Sequence, residues 1–362
     1  MTVDRIDQVI PTLSSRDAIG GHVLQLRDLL RSQGLRSDIY YANASPDRLG
    51  EGLPMARLGD RRAAGRVLLY QLSIGSGVAD LFRDRPERKF VNYHNITPAG
   101  LIEDWLPAVG DEVRLGRAQM VGLAPVTEFA VADSQFNERE LHDAGYGATA
   151  TASLLIDLDS FAGEPDPRLA DRLAAERAGG GTDLLFVGKV SPHKGQHDLI
   201  KTLAAYRRLY DPAARLRVVG GPISEEYQLA VERFAKELGL GAAVEFAGSV
   251  SHEELIAYYQ SADAFVCLSN HEGFCVPLLE AMHHRLPVVA YANTAVPETL
   301  AGAGLVLPDK EPARMAAAID RVVSDEHLRS VLAQAAQERV ATFALPRAKA
   351  AFAAALEQAC AA

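Results

Sequence analysis

Positive charge is scarce in this chain, cysteine is nearly absent, and no long apolar run exists. Lysine and arginine total 37 against 47 aspartates and glutamates, a formal net charge of -10. That balance excludes general nucleic-acid binding, which needs a basic footprint. The three cysteines, Cys267, Cys275 and Cys360, are odd in number, and no pair has metal-ligand spacing. The pattern suits a reducing compartment and points to no metal site. No segment approaches the roughly 20 apolar residues of a membrane span. Met1 to Asp17 has no apolar signal core behind a basic region. The expectation is a cytoplasmic protein that does not cross a membrane. Nucleotide motifs are also incomplete. Gly75-Ser76-Gly77 begins like a dinucleotide fingerprint but lacks its third glycine. Gly302-Ala303-Gly304 precedes a strand instead of following one, and Gly188-Lys189 lacks P-loop spacing.

What is present is an ordinary globular composition, 48% hydrophobic and 23% charged over 362 residues, enough for two domains. Strand and helix patterns alternate throughout, which predicts an α/β protein with parallel sheets. The predicted strands of the first half are 7–10, 38–41, 67–72, 90–94, 129–134 and 152–156, with helices over 22–33, 113–123 and 137–144. The acidic Pro/Gly stretch 157–167 marks the junction. The second half restarts with strands 184–187, 216–219, 244–247, 264–268, 287–291 and 304–307, each followed by a helix. The resulting domains are 1–160, 161–344 and a terminal helix over 345–362 that returns to the first domain. Two such domains in series place a cleft between facing sheets, a natural small-molecule site.

Four pieces carry chemistry. Glu272 and Glu280 stand eight residues apart. They flank Gly273-Phe274-Cys275-Val276-Pro277, between a predicted strand and a helix. That strand end is where open parallel sheets bind ligands, and a carboxylate there can grip a sugar or ribose hydroxyl. Gly188-Lys189-Val190-Ser191-Pro192-His193-Lys194-Gly195 also follows a strand. Lys189 and Lys194 near a helix start would neutralise a diphosphate; the bland alternative is ordinary loop charge. Gly20-Gly21, read as a loop before the first helix, would let the backbone approach a ligand. His94 closes a strand, although a lone histidine is more often structural. Asp157-Leu158-Asp159 could bind a metal in another fold and is read here as a linker feature. Arg57, Arg61, Arg62 and Arg66 are read as a solvated helix face, with docking to anionic lipid as the sharper alternative.

These pieces together resemble the retaining glycosyltransferases of family 4. The matching text is 184–195, 244–250, 261–266, the Glu272–Glu280 element with Ala281-Met282, then Pro287–Ala290 and Val296-Pro297-Glu298. The first half matches only at Gly20-Gly21, Tyr93-His94 and near Asp133-Ser134. The resemblance implies the GT-B architecture, two Rossmann-like domains facing across a cleft. It implies that Glu280 holds the nucleotide ribose, and that Glu272 with Gly273, Phe274, Cys275 and Val276 holds the donor sugar and phosphates. Lys189 and Lys194 would bind the diphosphate beside Gly188. His94 would contact the sugar from the opposite domain, Gly21 would lie near the phosphates, and Ser249 and Val250 would face the base. Two departures stand out: Lys189 replaces a common arginine, and Cys275 a common glycine.

The expected activity is metal-independent, retaining transfer of a hexose-type sugar from a nucleotide-diphosphate sugar to a glycan, lipid-linked or small-molecule acceptor. No cofactor is expected. Peripheral contact with the inner membrane face stays open. The alternatives are a sugar phosphorylase, a nucleotide-sugar epimerase and a non-catalytic nucleotide-sugar-binding protein.

Overall fold

The computed structural model describes residues 3–15, 17–59 and 65–361. The chain divides into two compact units. One holds Met1–Gly100, Ala108–Asp157 and Phe343–Ala362; the other holds Leu101–Pro107 and Leu158–Thr342. Asp157 thus ends a unit, at the acidic stretch where the linker was expected. The exchange of the short segment 101–107 has no signal in the sequence. Its Trp105 ring lies edge-on to Tyr227 at 5.2 Å, an apolar contact within the second unit.

The first unit contains β1 (Arg5–Leu13), α1 (Ala18–Ser32), β2 (Ile39–Ala44), β3 (Leu53–Pro54), β4 (Arg66–Leu72), α2 (Gly77–Asp84), β5 (Arg88–Tyr93), α3 (Pro107–Leu123), β6 (Phe129–Ala132), α4 (Gln135–Asp143), β7 (Thr149–Thr151) and, from the far end of the chain, α13 (Leu345–Ala361). Among the described residues the strands form one parallel sheet in the order β3-β2-β1-β4-β5-β6-β7. The strands at its centre are buried on both faces, which is why β4 reads as a near-continuous apolar run. α13 covers one face: Phe352, Ala355 and Leu356 pack with Ile6, Leu26, Val67 and Phe90.

The second unit contains α5 (Pro167–Ala178), β8 (Asp183–Val187), α6 (Gln196–Leu209), β9 (Arg215–Val219), α7 (Glu225–Glu237), β10 (Val244–Gly248), α8 (His252–Ser261), β11 (Ala264–Cys267), α9 (Val276–His283), β12 (Val288–Tyr291), α10 (Val296–Leu300), β13 (Leu305–Leu307), α11 (Pro312–Ser324) and α12 (Glu326–Thr342). Its parallel sheet has the order β10-β9-β8-β11-β12-β13. The strand order reverses between β8 and β11, the position at which an open parallel sheet receives a ligand at its C-terminal edge. Capping fixes the helix starts: Ser251 and Glu254 close a reciprocal capping box on α8.

The structure corrects four sequence readings. Gly20 and Gly21 lie inside the first turn of α1, which starts at Ala18. The strand expected at 152–156 is displaced to β7, and Leu155 instead donates its N–H to His22 Nδ1 at 3.0 Å. α2 has no counterpart among the expected helices; it begins at Gly77, the end of the triplet that resembles the start of a dinucleotide fingerprint. Arg66 is no solvated helix residue: it opens β4, is buried, and donates from Nε to Asp7 Oδ2 at 2.6 Å. Arg57 is exposed, whereas Arg61 and Arg62 lie outside the described residues. Among the described residues no helix is long and apolar enough to cross a membrane.

Candidate active site

β8 and β11 are short apolar strands whose ends meet at the crevice of the second sheet. After β8 the backbone turns at Gly188, with φ of +152°. Gly220, after β9, crosses it so closely that a Cβ at Gly220 would lie 2.2 Å from the Gly188 carbonyl oxygen. The loop then makes a single turn over Pro192–Lys194 and enters α6 through Gly195. Gly195 has φ of +72°, and a Cβ there would lie 2.4 Å from the Leu268 carbonyl oxygen. This close approach ties the β8 loop to the end of β11. Asn270 N–H completes the tie by donating to the His193 carbonyl at 2.7 Å.

The tie brings Lys194 to Glu272. Its Nζ donates to Oε1 at 2.7 Å and to Oε2 at 2.8 Å. Burial works against the Lys194 ammonium, but the Glu272 carboxylate outweighs it and raises the lysine pKa above its ordinary value. Glu272 is held in turn, because its N–H donates to Thr294 Oγ1 at 2.9 Å in the loop after β12. Lys189 lies on the same loop as Lys194 and is exposed. Its carbonyl accepts from Gln196 Nε2 at 3.0 Å.

The next residues turn sharply into α9. Gly273 is half-buried and Phe274 buried, and the Phe274 carbonyl accepts from Thr299 Oγ1 at 2.5 Å. Cys275 occupies the N-cap position with φ of +70°, a left-handed conformation that favours glycine. Its thiol points inward to Cys267, with the two sulfurs 4.0 Å apart. The Cys275 side chain is therefore turned toward Cys267. The pair shares a hydrogen bond, which lowers the Cys267 pKa and raises that of Cys275.

Glu280 sits within α9, a full turn beyond Val276. Burial pushes its carboxyl pKa up to about 7, against a hydrogen bond from Tyr259 Oη at 2.6 Å that pulls the other way. Tyr259 is fully buried and stacks on His284 at 5.2 Å. Ser249 and Val250 follow β10 in the loop before α8; Ser249 is exposed and Val250 half-buried.

The first unit places His94 just after β5. Its Nδ1 lies 2.8 Å from Asp133 Oδ2 and its Nε2 2.6 Å from Gln71 Oε1, and its side chain is 1% exposed. The polarity of this chain is set at its far end. The Val23 carbonyl accepts from Gln8 Nε2, so Gln8 Oε1 accepts from Gln71 Nε2, and Gln71 Oε1 must accept from His94 Nε2. A sugar hydroxyl would have to displace Gln71 to reach that nitrogen. Gly21, in α1, has open space where a Cβ would stand, whereas a Cβ at Gly20 would lie 1.7 Å from the Ser14 carbonyl oxygen.

The structure therefore gathers Lys189, Lys194, Glu272, Gly273, Phe274, Cys275 and Glu280 around the loops of one sheet. Asp157 and Asp159 are exposed, one on each side of the unit boundary. The sequence reading missed Tyr259, Thr294, Thr299 and Gln71. None carries a local motif, because each acts through a partner more than twenty residues away.

Comparison with known proteins places this geometry. Residues 170–339 match the family model described as glycosyl transferases group 1. A D-inositol 3-phosphate glycosyltransferase of Frankia alni is 34% identical over 252 residues, covering 65% of this chain and 60% of the relative. A GDP-mannose-dependent alpha-(1-6)-phosphatidylinositol monomannoside mannosyltransferase of Mycobacterium tuberculosis is 30% identical over 210 residues, covering 54% of this chain and 53% of the relative. The chain thus matches between half and three-fifths of these relatives' length. The structure of Anabaena HepE in complex with UDP and glucose superposes with a TM-score of 0.74 at 16% identity, over 97% of this chain and 99% of that one. Sucrose-phosphate synthase from Thermosynechococcus elongatus gives 0.76 at 18% identity, over 98% of both chains. At such identities the likeness is one of fold. Residues 170–339 are thus similar to the glycosyl transferases group 1 family, in a chain of the GT-B fold.

Proposed function

We propose that this protein transfers a hexose-type sugar, with retention of configuration, from a nucleotide-diphosphate sugar to an acceptor hydroxyl. The observation that carries the reading is the pairing of Lys194 with Glu272 at the β8–β11 reversal, with Glu280 in the helix that follows, inside the segment that matches the family. Glu280 binds the ribose, since an ionised carboxylate accepts from both hydroxyls of a diol. Glu272 and the backbone of Gly273 to Val276 hold the sugar and the phosphates at the start of α9.

Lys194 has three N–H donors and gives two to Glu272, so one remains for a phosphate oxygen. The departing diphosphate gains negative charge, and the Lys194 and Lys189 ammonium groups stabilise it where it develops. That assigns to two side chains the charge neutralisation that a divalent cation supplies elsewhere, and no cofactor enters the proposal. The acceptor is a glycan, a lipid-linked sugar or a small polyol. Inositol phosphates are the first to try, because the Frankia relative is named for one.

The test is calorimetric titration of UDP, GDP and ADP into wild type and Glu280→Ala. One nucleotide should bind wild type, with at least a tenfold loss in the variant, about 1.4 kcal/mol for a charged hydrogen-bond partner. A folded wild type that binds none of the three would remove the donor-site assignment. Sugar phosphate released only with added inorganic phosphate would replace transfer by phosphorolysis.

A further inference from the structure

Among the described residues, one group of three metal-ligating side chains lies close enough together to share an ion: Cys267, Glu272 and Cys275, whose ligand atoms are all within 4.8 Å of one another. We propose that this trio binds a thiophilic divalent cation of the zinc type, and that the bound cation excludes the sugar donor. All three residues are buried, Cys267 to 1% exposure, Glu272 to 8% and Cys275 to 7%. The two sulfurs stand 4.0 Å apart. Zinc–sulfur bonds of about 2.3 Å in a tetrahedral site put two thiolates about 3.8 Å apart, so the pair needs little movement to ligate. The left-handed backbone at Cys275 is what turns its thiol toward β11. A glycine would offer the same N–H without the ligand.

Charge fits as well as distance. Two thiolates, the Glu272 carboxylate, the Lys194 ammonium and a divalent cation sum to zero, which suits a buried cluster. Both Glu272 oxygens now accept from Lys194. A cation would take one oxygen and leave the other to the lysine. Binding releases the two thiol protons to solvent and changes no oxidation state. The cation would occupy the Glu272 carboxylate and fix Cys275, the residues assigned above to the donor sugar. The exclusion of donor rests on that assignment, whereas the binding of the ion does not.

Cadmium is the probe, because cadmium thiolates absorb in the ultraviolet. The full-length Cys360→Ser protein, kept reduced, should show this charge-transfer band on addition of Cd²⁺, saturate at a single equivalent, and lose the band on addition of excess Zn²⁺. Cys275→Gly, compatible with the local backbone, and Cys267→Ala should each lose most of the band; Glu272→Gln should keep it at weaker affinity. Absence of the band in Cys360→Ser, or its persistence in Cys275→Gly, overturns the site. Zn²⁺ should weaken nucleotide-sugar binding by Cys360→Ser and leave binding by Cys267→Ala unchanged. Equal nucleotide-sugar affinity with and without Zn²⁺ overturns the exclusion of donor. If no nucleotide sugar binds, the function above fails while the cadmium band still decides the site.

Discussion

At Glu280, burial and one hydrogen bond from Tyr259 pull the carboxyl in opposite directions, and burial prevails. With a pKa of about 7, Glu280 is part protonated at neutral pH in the free protein. On the proposed function ribose hydroxyls would bind the carboxylate, so binding would draw the pKa down and release a proton. Nucleotide affinity should therefore rise as pH increases through about 7 and level off above it. In Glu280→Gln the dependence should flatten, and calorimetry across that range reads both. Stability moves the opposite way. Below about 4.5 the group is protonated in both states; from there to about 7 only the unfolded chain loses its proton, so this group's contribution disfavours folding increasingly, then levels off. Tyr259→Phe removes the donor at 2.6 Å and leaves the carboxyl harder to ionise. Its nucleotide affinity at neutral pH should fall by roughly tenfold, about 1.4 kcal/mol, and the pH midpoint should move upward. An unmoved midpoint would assign Tyr259 to packing alone.

At the scale of elements, the site is made by two loops that must touch. Gly195 is the point of contact, with both a positive φ and a carbonyl where its Cβ would stand. Gly195→Ala should cost about 1–3 kcal/mol in chemical denaturation, from backbone strain alone, and more if Leu268 cannot shift. It should also weaken diphosphate binding, because Lys194 and α6 are displaced together. A variant as stable as wild type would show that the loop has another conformation open to it. Both loops were legible in the sequence, since β-branched strands, a proline and a helix start are local signals. The pairing of Lys194 with Glu272 was not, because 78 residues separate them. The first turn of α1 was misread for a local reason instead. Gly20-Gly21 disfavours a helix by propensity, but Asp17 caps it by accepting from the Gly20 N–H at 2.7 Å, and the sheet packs its apolar face.

At the scale of the whole molecule, the chain's last helix belongs to the unit formed by its first residues. Phe352 is fully buried there and lies 5.3 Å from the His22 ring, which is itself in the polar chain leading to His94. Phe352→Ala should destabilise the protein by about 3–5 kcal/mol, measured as a lowered denaturation midpoint. A loss under about 1 kcal/mol would mean that α13 is dispensable to the first unit. An alanine-rich helical pattern marks the helix, which was expected to return to the first domain; the packing shows which core residues it meets.

The sequence by itself determined the alternation of strands and helices, the junction near Asp157, the loops that carry Lys189, Lys194 and Glu272, the helix that carries Glu280, and the resemblance of the second half. Those properties follow from periodicity, turn residues and short motifs, which act over a few residues. Tertiary structure alone decided that Arg66 is a buried partner of Asp7, that His94 has both ring nitrogens engaged, that Tyr259 donates to Glu280, and that Cys275 meets Cys267. Each of these is a contact between elements, fixed by strand order and by the cost of burying a polar group without a partner. No local pattern encodes such a contact.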